Sequence, residues 1–106
     1  MSQAARLTLN KTSEGVWQLA GEMTMYGVSD ARHVLLRNRP TQGAWIVEGR
    51  QLKSVDSAGL ALILDMMRYA RDHNITLTVR GLPAIARELV EVQGLISLFS
   101  GVEYVA

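Results

Sequence analysis

The chain has 106 residues, too few for two domains and enough for one with a real core, since hydrophobic residues make up 48% of it. Its 11 basic and 10 acidic residues are spread along the chain and leave a net charge of +1, which argues against nucleic acid as a partner, because phosphate binding needs a concentrated basic patch. There is no cysteine for a disulfide scaffold or thiolate metal site, no signal-peptide core in MSQAARLTLN and no membrane-length apolar run, so the expected setting is cytoplasmic, without direct membrane insertion.

Arg6 to Asn10 (RLTLN) and Val16 to Ala20 (VWQLA) alternate polar and apolar residues around the turn-forming KTSEG, which predicts an N-terminal β-hairpin. After Gly21 and Glu22, Ser29 or an earlier residue caps a helix with Val28, Ala31, Val34 and Leu35 on one side. Arg39-Pro40-Thr41-Gln42-Gly43 is a break, and Ala44 to Val47 (AWIV) reads as a short buried strand. Leu60, Ile63, Leu64 and Met67 recur at the spacing of one helical face, and their helix ends near His73-Asn74. Ile75 to Val79 (ITLTV) is an alternating, β-branched strand. Gly81-Leu82-Pro83 opens a third helix, with Ile85, Leu89 and Val92 on one face and Gly94 as its stop. Leu95 to Phe99 adds a turn and Val102 to Val105 a short closing strand. Strands joined through helices in the order β-β-α-β-α-β-α predict one α/β domain over residues 1–106. Its expected core is a mixed sheet of four or five strands with helices packed on one face.

Catalytic chemistry does not assemble from these residues. There is no HExxH, glycine-rich phosphate loop or GxSxG. His33 and His73 sit on predicted helices without a ligand pattern and read as solvated, as do the scattered carboxylates Glu14, Glu22, Glu48 and Asp65. Ser57 as a nucleophile would need a base that neither Asp56 nor Ala58 supplies. The expectation is a non-enzymatic domain without catalytic residue, metal or cofactor.

The informative stretch is SVDSAGLALIL, residues 54–64. Asp56 and Ser57 are good N-cap residues, because their side-chain oxygens accept hydrogen bonds from the first-turn N–H groups of a helix. They also stand where a partner would meet the helix. At about 100° per residue, Leu60, Ile63, Leu64, Met67 and Ala70 form the core side, while Leu62, Met66 and Tyr69 form a second stripe. That stripe reads as a docking face with an aromatic anchor, or else is covered by another element of the domain. A phosphate on Ser57 would suit the positive end of the helix dipole.

The element order, Gly21-Glu22 after the second strand, and Val55-Asp56-Ser57-Ala58-Gly59-Leu60 before a helix resemble the STAS domain family, that of the SpoIIAA-like anti-sigma factor antagonists. In its partner-switching members, the serine matching Ser57 is phosphorylated by an anti-sigma factor serine kinase. Those members often carry a serine where this chain has Ala58. VDSAGLALIL, DMMRYARDHNITLTV and GLPAIARELVEVQGL are more similar to the MlaB branch, cytoplasmic STAS subunits of Gram-negative phospholipid ABC transporters. This resemblance implies binding to the transporter's ATPase subunit, in a complex with a permease and peripheral to the inner membrane. The contact would run through Asp56, Ser57, Ala58 and Gly59, joined by the Leu62, Met66 and Tyr69 stripe.

Overall fold

The computed structural model describes residues 7–105, apart from the side chains of Asp30, Ala31 and Val34. Two of the expected α1 face residues, Ala31 and Val34, and the expected strand residue Arg6 lie outside that description. The hairpin forms as β1 (Leu7–Lys11) and β2 (Val16–Met23), closed by a turn in which the Thr12 hydroxyl accepts the Val16 N–H at 3.1 Å. Helix α1 (Met25–Asn38) crosses to β3 (Ala44–Val55), and α2 (Ser57–Asp72) crosses to β4 (Thr76–Arg80), both strands running parallel to their predecessors. Helix α3 (Ala84–Val92) follows, and the sheet order is β1-β2-β3-β4. The expected closing strand is reduced to an isolated bridge between Leu82 and Tyr104. None of the described helices is long and apolar enough to cross a membrane.

The two sides of the sheet follow from the period-2 alternation of its strands. Trp17, Val47 and Val79 stand in one cross-strand row, and all three are buried in the core that Leu60, Ile63, Ala86 and Val90 of the helices complete. One residue further along, Asn10, Gln18, Glu48 and Arg80 form a polar row on the opposite side. Arg80 Nε lies 3.2 Å from Glu48 Oε2 and Asn10 Nδ2 lies 3.3 Å from Gln18 Oε1. Glu48 is therefore an ion-pair partner on a half-buried row rather than a freely solvated carboxylate.

Strand β3 is twelve residues long, not the four of AWIV. Its second half, Arg50 to Val55, is polar enough to pass for a loop, yet β2 pairs with it as far as Met23–Val55 across two register shifts. The extension carries Leu52 and Val55 into the core and delivers the chain to Asp56 beside the end of β2.

Helix α1 begins earlier than Ser29. Thr24 is its N-cap, its hydroxyl accepting the Tyr26 N–H at 3.3 Å. The longer helix runs beside α2, where Arg32 Nη2 meets Asp65 Oδ2 at 2.9 Å and draws Asp65 into a bridge between the two helices. This overturns the expected docking stripe. Leu62 is 2% exposed and Met66 4%, and with Leu35, Leu36 and Trp45 they pack around a small gap between α1, α2 and β3. Because α2 is covered on two sides, its buried arc is wider than one stripe. It takes in Leu62 and Met66, while Leu64 and Met67, expected in the core, are only partly buried.

Tyr69 is likewise a packing residue. Its hydroxyl donates to the Pro40 carbonyl at 2.9 Å, His73 stacks on its ring at 4.0 Å, Arg39 lies over the ring at 3.8 Å, and Trp45 meets it edge-on. It fastens the α1–β3 loop to α2. Helix α3 is turned from its expected orientation: Ala86 and Val90, an i, i+4 pair, are buried, Leu89 is partly buried, and Ile85 and Val92 face outward.

Candidate functional site

Asp56 connects the start of α2 to the start of α1. Its Oδ1 accepts the Ala58 and Gly59 N–H groups at 2.9 and 3.2 Å, which caps α2. Its Oδ2 accepts the Met25 N–H, the first of α1, at 3.1 Å. Asp56 was expected at a partner contact, but its carboxylate is committed to these three internal donors. Asp56→Ala is expected to lower stability by about 2 kcal/mol, a lost cap plus an orphaned donor on the second helix. Asp56→Asn should cost less, since its amide oxygen still accepts. Denaturant unfolding of the two variants checks both statements.

Gly59 is buried rather than displayed, and the close approach of α2 to β2 needs it: a Cβ here would run into the Met23 carbonyl oxygen and Cγ. Gly27 plays the same part for α1, where a Cβ would meet the Glu22 carbonyl. The two glycines let both helix starts sit on the backbone at the end of β2.

Ser57 is the first residue of α2, and it is exposed, with Ala58 partly buried beside it. Its hydroxyl oxygen lies 2.5 Å from Nε2 of Gln93, the C-cap residue of α3. Three helix ends therefore converge on one surface: the starts of α1 and α2 and the end of α3. Large apolar side chains stand exposed beside it. Met25 and Tyr26 lead α1 at 60% and 63% exposure, and Val92, next to Gln93, reaches 82%. Of the expected contact residues, Ser57 and Ala58 reach this surface; Gly59, Leu62 and Met66 do not. Met25, Tyr26 and Gln93 were absent from the sequence reading, and Val92 entered it only as part of the apolar face of α3. The cap at Thr24 is the signal that marks the first two, whereas nothing local links Gln93 to a serine 36 positions away.

The surface has little means of activating a nucleophile. The group hydrogen-bonded to Ser57 is an amide, which takes no proton at neutral pH, and no imidazole or lysine is bonded to the hydroxyl among the described residues. Among those residues no cluster of three His, Cys, Asp or Glu could hold a metal ion. A cleft of about 440 Å³ lies between α3 and the tail, with Arg87, Val90, Glu91, Phe99 and Tyr104 in its lining and Ser57 outside it. Burial pushes the Tyr104 phenol above its ordinary value, while the Arg87 guanidinium draws it down.

A mixed four-stranded sheet backed by helices, with a capped, exposed serine at the start of the second helix, defines the STAS class of regulatory and interaction domains. Residues 7–100 match the family model described as Mlab, STAS domain, and the chain belongs to that family. A comparison with curated proteins found no match.

Proposed function

We propose that this domain is a non-enzymatic, MlaB-like subunit that binds and supports the cytoplasmic ATPase of an ABC-type phospholipid transporter. The observation that carries this reading is the exposure of Met25, Tyr26 and Val92 around Ser57, in a domain that buries every residue of the second α2 stripe except part of Tyr69. An aromatic residue and an adaptable methionine beside a hydrogen-bonding serine make a compact anchor for another protein surface. The domain would reach the inner membrane through that partner, which sits with its permease.

Isolation of the tagged chain from its native host tests the assignment: an ABC ATPase subunit should accompany it. Against that purified subunit, Tyr26→Ala should weaken binding by about 1–2 kcal/mol while moving stability by about 0.5 kcal/mol or less. Equal binding by Tyr26→Ala and the unaltered chain would remove Tyr26 from the interface.

A second reading is an anti-sigma factor antagonist switched by phosphorylation, and the exposed Ser57 hydroxyl favours it. A phosphate on Ser57 would stand beside the Asp56 carboxylate, which already takes the Ala58 and Gly59 N–H groups. It would therefore add charge to the docking surface, with the Ala58 and Gly59 donors of that turn already taken and the Ser57 N–H left as the open one. Co-isolation of a serine kinase, with phosphate incorporated at Ser57 in the presence of ATP, would select this reading over the first.

A further inference from the structure

We infer that Gln93 fixes Ser57 as a hydrogen-bond donor, so that the partner atom Ser57 meets is an acceptor, a main-chain carbonyl or a carboxylate. This rests on the proposed docking at Ser57 and specifies its chemistry. A serine hydroxyl has one proton and two acceptor lone pairs. The Gln93 amide donates to the Ser57 oxygen at 2.5 Å, which occupies one lone pair and polarises the O–H toward donation. The hydroxyl donates no hydrogen bond among the described residues; the bonds to the adjacent Asp56 carboxylate come from Ala58, Gly59 and Met25.

Two further features act in the same direction. The Ser57 backbone N–H makes no hydrogen bond among the described residues, so it too is an open donor at the start of α2. The positive end of the α2 dipole favours an electronegative visitor. Gln93 is anchored for its task at the C-cap of α3, its own N–H donating to the Leu89 carbonyl at 2.9 Å. Gly94 then turns the chain away with φ of 70°. Gln93 is a positioning residue: it acts on the partner through the Ser57 hydroxyl.

The test is a donor–acceptor swap in the full chain, titrated against the purified ABC ATPase subunit. Gln93→Glu offers only acceptors, so it claims the Ser57 proton and should weaken binding about tenfold or more. Gln93→Lys offers only donors, so it should stay within about threefold of the unaltered chain. In a Ser57→Ala background the difference between Glu and Lys should collapse to less than about threefold, the mark of a residue that acts through another. If the full difference persists without the hydroxyl, Gln93 acts through its charge and the inference is wrong, while docking at Ser57 survives. If Ser57→Ala alone binds as the unaltered chain does, docking at Ser57 fails and takes the inference with it. The hydrogen bond itself is read without a partner: the Gln93 side-chain amide resonances should shift on Ser57→Ala in a nitrogen–proton NMR spectrum, and unmoved resonances would overturn the inference alone.

Discussion

Leu62→Ala should lower the unfolding free energy by about 2–5 kcal/mol, the usual cost of deleting a buried leucine and leaving a cavity. Leu62 is 2% exposed and packs with Leu35, Trp45 and Met66 where α1 lies against α2. The surrounding side chains are large and belong to α1, α2 and β3, so they cannot all move inward together. Leu62 is also where two accounts of α2 diverge. If its second stripe were a docking face, Leu62→Ala would leave the melt almost unchanged and weaken partner binding. With the stripe inside the domain, chemical denaturation should show the full loss, and the fraction still folded should bind with nearly unaltered affinity.

Gly59→Val is expected to cost about 3 kcal/mol, at the upper end of overpacking penalties, because the obstruction is backbone rather than a yielding side chain. The Met23 carbonyl occupies the space a Cβ would need, and Met23 itself is fully buried at the end of β2. The start of α2 would have to retreat from the sheet. Asp56 would then lose its simultaneous hold on Ala58, Gly59 and Met25. The variant should therefore lose stability and also loosen the start of α1, seen as faster amide exchange at Met25 and Tyr26. Gly15, where a Cβ would meet nothing, is not a fair control because its φ is 81°. Ala61, exposed one turn into α2, is a better site for a control substitution to Val.

The parts of this fold that were legible in the sequence are those set by local chemistry. Alternation in LTLN and VWQLA specified the hairpin, ITLTV the last strand, and Asp56 the start of α2, which the structure places one residue before the helix. The second half of β3 was not legible, because Arg50, Gln51, Lys53 and Ser54 lack strand-like patterning. It is a strand because β2 supplies its hydrogen bonds, which is a tertiary fact. Leu62, Met66 and Tyr69 were misassigned for a related reason. Helical periodicity separates one side of α2 from another, but whether the second side is wet depends on where α1 lies. The early cap at Thr24 sets that placement. Ser57 was found from its own neighbours. Met25, Tyr26 and Gln93 join it only because three helix ends meet in space.

The account turns on which surface the partner covers, and hydrogen exchange measured with and without the ABC ATPase subunit reads that surface directly. Docking at the Ser57 surface predicts slowed exchange in three separated segments, residues 24–29, 56–61 and 91–96, with β1 and the polar side of the sheet unchanged. Slowed exchange confined to β1 and β4, with those three segments exchanging as they do in the free chain, would contradict it.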